Sequence, residues 1–411
     1  MDPVPPLVVE LAKACQRHGG RALLNGGGVR DAMLGRPIND WDVEVYGIPE
    51  PDLADLLAKL GRVSAVGRAF GVYKLARGRQ EIDVSLPRRD SKVGAGHRGI
   101  HVDGDPSMSF EEAARRRDLT VNAMLRDPLS GEIIDPWGGQ DDLRARVLRA
   151  VDATTFLEDP LRALRVVQLA ARLDFEVDPV LESLCAQAAL GELPPERIQG
   201  EWLKLLLLGV RPSRGLALAR KTAILARVFP EAVDALDADS GLDHLAAGHR
   251  DGLEDEGRRV ALMLATWLHG TPSDQVEATL DRLWLHRWKG YPLRERVLGA
   301  IATWSEEPTS DVALRHLATR TELELTLLVQ HGVTGRAAPL QQLDRAMELG
   351  IAHGAPEPLL KGRDLKPLGV SPGPAMGTLL RQVYELQLDG AVTSPDEALD
   401  AARRLIGSTH R

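Results

Sequence analysis

The sequence predicts an α+β protein: a head of mixed sheet and helices over residues 1–148, followed by an all-helical neck, body and tail. Two observations predict it. Short runs rich in β-formers (ALLNGG, DWDVEVY, VYKLA, EIDVSL) alternate with Gly/Pro turns and helical stretches in the head, whereas nearly everything after Glu158 repeats its apolar residues with helical period. Pro and Gly interrupt that later pattern at ELPPERIQ, GVRPSRG, HGTPSD and HGAPEP, which suggests a neck over 149–212, a body over 213–350 and a tail over 351–411.

At 411 residues and 44% hydrophobic content the chain is long enough for several cores. The opening MDPVPPLVVELAKACQRHGG puts no basic stretch ahead of its apolar residues, and no window reaches the roughly 18 apolar residues of a membrane span. A cytoplasmic protein is expected, with no membrane association and no protein partner inferred. Cys15 and Cys185 are far apart and read as core residues rather than as a disulfide or a zinc site. The net charge of −8 excludes a globally basic nucleic-acid binder but leaves room for local basic stripes such as residues 115–117.

The first element with chemistry is NGGGVRDAMLGRPINDWDVEVY, residues 25–46. Alternate residues of a strand point to one face, so a strand through 39–44 would project Asp40 and Asp42 together and turn Trp41 and Val43 into the core. Paired carboxylates on a strand are a hard-oxygen site suited to Mg²⁺ and to phosphoryl transfer. Gly26, Gly27 and Gly28, lacking β-carbons, would let backbone N–H groups close on triphosphate oxygens at the start of a helix carrying Val29, Arg30 and Asp31.

Three further stretches complete a pattern: RRDLTVNAMLRDPLSGEIIDPWGGQDDLRARVLRAV, EDPLRALRVVQLAARLDF and PPERIQGEWLKLLL. With GGGVRD and DWD in this order, the chain resembles the nucleotidyltransferases of the DNA polymerase β superfamily, and among them the class II group of bacterial tRNA nucleotidyltransferases and poly(A) polymerases. The resemblance covers most of the chain. It implies a polymerase-β-like head, Asp40 and Asp42 as catalytic metal ligands, and Gly27, Gly28 and Arg30 at the nucleotide. It further implies that Asp118 contacts the ribose hydroxyl while Arg116 or Arg117 faces phosphate, with Asn122 lining the same cavity and Arg165 as another phosphate contact.

Asp159 and Arg162, three residues apart, would share one face of a helix. An arginine fork only donates and a carboxylate only accepts. Cytosine and adenine both offer a ring-nitrogen acceptor beside an amino donor, whereas uracil and guanine reverse the two, so one Asp/Arg pair can admit C and A and reject U and G. The alternative is a surface ion pair worth a few tenths of a kcal/mol.

Between Asp83 and Arg115, PRRDSKVGAGHRGIHVDGDPSMSFEEA has the composition of a mobile loop. In the resembling enzymes a flexible element here serves the switch from adding C to adding A, and its full length implies complete CCA addition. Some of those enzymes also carry a metal-dependent phosphohydrolase built on a His-Asp doublet. Here His244, His249 and His269 fall in the corresponding region, but Gly270 follows His269, so no hydrolase metal site is expected and the histidines read as ordinary helix residues.

The resemblance thus implies an Mg²⁺-dependent enzyme that adds CCA to the 3′ end of tRNA from CTP and ATP, releasing pyrophosphate. Partial CC or A addition and poly(A) synthesis are the nearest alternatives, although the chain shows no strongly basic extension. A small-molecule nucleotidyltransferase would not need the helical body and tail, and a non-catalytic RNA binder would not need Asp40 and Asp42.

Overall fold

The computed structural model describes residues 3–38, 40–65, 72–92, 100–233 and 238–409. They form two units, one of residues 1–201 and 214–228, the other of residues 202–213 and 229–411.

The first unit opens with α1 (Pro6–Arg17), whose Leu7, Val8, Leu11 and Cys15 form one buried stripe. Then come β1 (Arg21–Asn25), α2 (Gly27–Met33), β2 (Asp42–Tyr46), α3 (Glu50–Leu60), β3 (Arg62–Ala65), β4 (Val72–Arg77) and β5 (Gln80–Ser85). Beyond them lie β6 (Arg88–Lys92), β7 (Ile100–Gly104), α4 (Phe110–Arg115), β8 (Leu125–Arg126) and β9 (Ile133–Ile134). Seven strands make one sheet in the order β3-β4-β5-β2-β1-β8-β9. Within this sheet, among the described residues, β2 and β5 are the parallel pair, Asp42 standing opposite Asp83 and Glu44 opposite Ser85. Val43 and Val45 of β2 are fully buried, as are Val84 on β5 and Leu75 on β4 beyond it. On the other face Tyr46 meets Phe110 edge-on at 4.8 Å. A reciprocal cap between Ser109 and Glu112 starts α4 and thereby places Arg115, Arg116 and Arg117 at its end.

Two sequence expectations change here. The strand begins at Asp42, so Asp40 lies ahead of it, exposed, and Trp41 is only half-buried rather than in the core. The reason is local: residues 38 and 40 lie against α2, where a β-carbon on Gly28 would meet the Asp40 carbonyl at 3.3 Å and the Ile38 side chain at 3.5 Å. The expected loop after Asp83 is in large part regular, since β6 and β7 pair antiparallel from Arg88–Gly104 to Lys92–Ile100. Three of its glycines, at 94, 96 and 99, lie in 93–99, outside the described residues, as does any mechanical role for that segment.

The unit continues through α5 (Gly139–Ala145), β10 (Val147–Leu148), α6 (Ala153–Phe156), α7 (Leu161–Leu173), β11 (Glu176–Val177) and α8 (Pro179–Gln187). Asp152 and Asp178 cap α6 and α8 by accepting from backbone N–H groups. The chain leaves the unit along α9 (Pro195–Leu208), and the unit is completed by residues of α10 (Pro212–Lys221) and α11 (Ile224–Val228).

The second unit is helical: α12 (Ala238–Gly248), α13 (Glu256–Trp267), α14 (Ser273–Arg282), α15 (Leu293–Thr303), α16 (Asp311–Ala318), α17 (Leu323–Thr334) and α18 (Ala338–Glu348) precede α19 (Gly362–Leu365), α20 (Pro374–Leu388) and α21 (Pro395–Thr409). Trp202, Phe229 and Trp267 stack within it at 4.6–5.4 Å, and Leu365, Val383, Ala398 and Ala402 belong to a separate core at its end.

Candidate active site

The register of β2 against β5 decides the site. Because side chains alternate along a strand, Asp42 and Glu44 share a face, and parallel pairing sets Asp83 and Ser85 beside them. These residues form part of the lining of a cleft of about 350 Å³, with Asn25, Arg116 and Arg117 also on its walls. A smaller adjoining hollow is lined by Gly28, Asp40 and Trp41, and it shares Asn25 and Asp42 with the cleft. Burial pushes the Asp42 carboxyl above the ordinary carboxylate range; the charges of Asp83 and Asp40 push the same way, against Arg117. Like charges gathered at a partly buried point suit a hard divalent cation. Glu44 is held otherwise, accepting from Tyr46 Oη at 2.6 Å and pairing with Arg117 at 3.5 Å.

The glycines are used for close approach. Gly26 turns β1 into α2 at φ 68°, and a β-carbon there would meet Arg117 Nη1 at 3.3 Å. α2 then starts at Gly27, with Gly28 inside its first turn. Arg30 is buried and donates to both Asp31 carboxylate oxygens and, at 2.6 Å, to Asn122 Oδ1. Asn122 in turn donates to Asp118 Oδ1 at 3.0 Å, and Asp118 Oδ2 accepts from Arg165 Nε at 2.7 Å. Four residues expected around the nucleotide therefore form one chain of bonds, Arg30–Asn122–Asp118–Arg165.

Burial alone would raise the Asp118 carboxyl, but the charge of Arg165, the bonds from Asn122 and Arg165 and the charge of Arg162 hold it below its ordinary value. A carboxyl depressed in the folded state contributes stability that is present above its unfolded pKa and lost as pH falls through the folded one. Arg165→Ala is thus expected to destabilise the protein by about 1–3 kcal/mol at pH 7, with the gap to wild type narrowing as Asp118 protonates in acid. Urea melts of both proteins between pH 7 and pH 3 check this, and a pH-independent gap would contradict it.

Asp159 stands in the turn before α7 rather than on its surface, so it and Arg162 are not two positions on one helical face. Asp159 accepts from the Leu161 backbone at 3.0 Å and pairs with Arg197 of α9 at 3.1 Å. Arg162 is clamped by the carbonyls of Thr155 and Arg116 at 2.5 and 2.6 Å. Arg116 itself donates to the carbonyl of Arg88.

Of the residues expected at the site, Asp42, Arg116 and Arg117 line the cleft and Asp40 and Gly28 the hollow beside it. Asp83, Asn25, Glu44, Arg88 and Arg197 went unread. EIDVSL marked a strand, but nothing in one sequence said that it pairs in parallel with DWDVEVY. In the second unit His244 and His249 are not ordinary helix residues, since they converge with His331, whereas His269 bonds to the Thr266 carbonyl and stacks edge-on with Trp304.

Residues 22–149 match the family described as poly A polymerase head domain, and residues 174–236 the one described as "Probable RNA and SrmB- binding site of polymerase A". The first match spans the sheet and its carboxylate cleft, so the head of the chain is similar to the poly A polymerase head domain. Its relatives include the Multifunctional CCA proteins of Xanthomonas campestris pv. campestris strain B100 and Vibrio vulnificus strain YJ016. The first is 40% identical over 233 residues, 55% of this chain and 54% of that protein; the second is 40% identical over 220 residues, 52% and 51%. The chain thus spans about half the length of the curated relatives it matches. The fold is that of the Bacillus stearothermophilus CCA-adding enzyme in complex with CTP (TM-score 0.74, 24% identity, covering 99% and 100% of the two chains). The Thermotoga maritima CCA-adding enzyme complexed with tRNA_CCA superposes similarly (TM-score 0.68, 21% identity, 98% and 97%).

Proposed function

We propose that the protein is a tRNA nucleotidyltransferase that adds CCA to tRNA 3′ ends from CTP and ATP, without a nucleic-acid template and with release of pyrophosphate. The observation that carries it is the cleft: carboxylates of Asp42 and Asp83 face arginines 116 and 117, and the buried Nε of Arg117 has no hydrogen-bond partner among the described residues. An acidic floor beside an unsatisfied cationic donor fits a metal-bound triphosphate. The names and complexes of the relatives and fold neighbours support the choice of tRNA, CTP and ATP.

Asp40 and Asp42, joined by Asp83, are the residues that would hold Mg²⁺, and the donor set fits a hard cation. Such an ion, when bound, lowers the pKa of the attacking primer hydroxyl and neutralises the leaving pyrophosphate. The chain's own residues do the rest. Gly27 and Gly28, at the start of α2, let the backbone approach phosphate, and Arg116 and Arg117 balance its charge. Asp118, anchored by Asn122 and Arg165, accepts from the ribose hydroxyl; Arg30 fixes Asn122. Asp159 and Arg162 would read the base edge, Asp159 being paired with Arg197 and Arg162 bonded to two carbonyls. The head at 1–148 would do the chemistry, the neck at 149–212 the base reading, and the body (213–350) and tail (351–411) would contact tRNA. No helix among the described residues is long and apolar enough to cross a membrane, and a cytoplasmic enzyme is part of the proposal.

Poly(A) synthesis is the second reading, favoured by the head-domain match itself. ATP alone, supplied to a tRNA ending in CC and to an unstructured RNA, separates the two. The proposed enzyme adds one A to the tRNA and leaves the RNA unextended; long adenylate tails on both would establish the poly(A) polymerase instead.

A further inference from the structure

The second unit contains a cluster that the chemistry of the head does not use. His244 lies on α12, His249 in the turn just after it and His331 on α17, and one ring nitrogen from each lies within 4.8 Å of the other two. His244 Nε2 and His331 Nε2 are 2.9 Å apart. His331 Nδ1 lies 2.7 Å from the carbonyl of Arg336. A carbonyl only accepts, so Nδ1 carries the proton and Nε2 presents a lone pair to the centre of the cluster. A backbone carbonyl fixing the far side of an imidazole is the arrangement that orients metal-ligating histidines.

We infer that His244, His249 and His331 bind one divalent transition-metal ion of the zinc class, with three imidazole nitrogens and a fourth position left to water. Neutral imidazoles suit zinc, cobalt, nickel and copper, and not magnesium or calcium. Two nitrogens about 2.0–2.1 Å from a tetrahedral ion stand roughly 3.3 Å apart, so the 2.9 Å pair need open by only a few tenths of an ångström. Burial runs from His331, inside, through half-buried His249 to exposed His244, which leaves the solvent side for the water ligand. Another grouping of the same kind, Glu322, Glu324 and His353, already has its cation. Arg258 Nε donates to Glu322 at 2.6 Å and Tyr291 Oη to its other oxygen at 2.8 Å. The ion at the histidines would tie α12 to α17, and it differs in kind from the hard cation of the head.

Cobalt(II) titration of the full-length protein, in excess Mg²⁺ so that carboxylate sites are filled, tests this by the visible absorption of four-coordinate cobalt and by bound metal per chain after gel filtration. One equivalent is expected, displaceable by Zn²⁺ and accompanied by a higher melting temperature. Exposed His244→Ala should weaken binding by at least the about 10–100-fold that loss of an outer-sphere partner costs, while leaving the metal-free melting temperature unchanged. His331→Gln, at a buried position, should lower the metal-free melting temperature and weaken metal binding by a similar factor. No absorption in the wild type, or equal binding in wild type and His244→Ala, would overturn the assignment.

Discussion

Asp42→Ala is expected to abolish incorporation of both CTP and ATP, by roughly a thousandfold or more in kcat, while tRNA binding stays close to wild type. Nucleotidyl transfer has little covalent work for the protein; positioning and neutralising charge are nearly all of it, and losing a single preorganised donor elsewhere already costs about 10²–10³-fold. The Asp42 carboxyl feels the charges of two others, Asp40 ahead of the strand and Asp83 across from it on β5. Burial and those two neighbours raise its carboxyl, so in the absence of a cation its ionisation opposes folding. Asp42→Ala should therefore melt no earlier than wild type in metal-free buffer while losing activity, the pattern of a residue kept for chemistry at some cost to stability. Asp40→Ala should likewise inactivate. Asp83→Asn, which keeps the shape and removes the charge, should slow both nucleotides together. Equal turnover in wild type and Asp42→Ala, or a collapse in melting temperature that accounts for the loss, would remove the metal assignment. Rapid-quench incorporation of each NTP, with tRNA binding followed by filter retention, supplies both readouts.

The second large effect is on choice of base. Asp159→Ala takes away the acceptor for the amino group of C or A and also the repulsion that keeps out the carbonyl of U or G, so discrimination should fall by roughly 1–3 kcal/mol, about ten- to a hundredfold. Arg162→Ala should weaken C and A together. Because Arg162 is also bonded to the carbonyls of Thr155 and Arg116, its loss loosens the turn after the Arg116–Arg117–Asp118 run and should lower kcat for both nucleotides. Arg197 gives a graded control, since it holds the Asp159 carboxylate from α9 without any expected contact to the base. Arg197→Ala should relax selectivity in the same direction as Asp159→Ala but less. The check is kcat/KM for all four NTPs on tRNA lacking its CCA end. Four rates reduced in equal proportion by Asp159→Ala would show that the base is read elsewhere.

What the sequence revealed and what it concealed divide along one physical line. Local signals were legible: the glycine turn after β1, the helical periods beyond Glu158, and the motif order from GGGVRD through DWD and RRD to EDPLR. Even the local reading had limits, because DWD fixed a strand but not its first residue, and the close approach of Ile38 and Asp40 to Gly28 starts β2 at Asp42. Contacts between distant residues were not legible. Asp83 joins Asp42 only through a parallel pairing, Arg165 meets Asp118 across 47 residues and Arg197 meets Asp159 across 38, and alternation or helical period says which face a side chain takes, not what it finds there. The histidines show the same limit. Gly270 breaks the His-Asp doublet in the sequence, while the partner that gathers His244 and His249 lies 87 residues beyond His244, on α17.

Product length shows whether the protein itself dictates a three-nucleotide addition. tRNAs ending before, after the first and after the second C of the CCA end are incubated with CTP alone, ATP alone, both, or all four NTPs, and the products are resolved to single nucleotides. Two additions are expected with CTP alone on the shortest tRNA, one addition with ATP alone on the tRNA ending in CC, and termination at CCA with both or all four NTPs. Continued adenylation past CCA, or incorporation that follows the most abundant NTP, would contradict it.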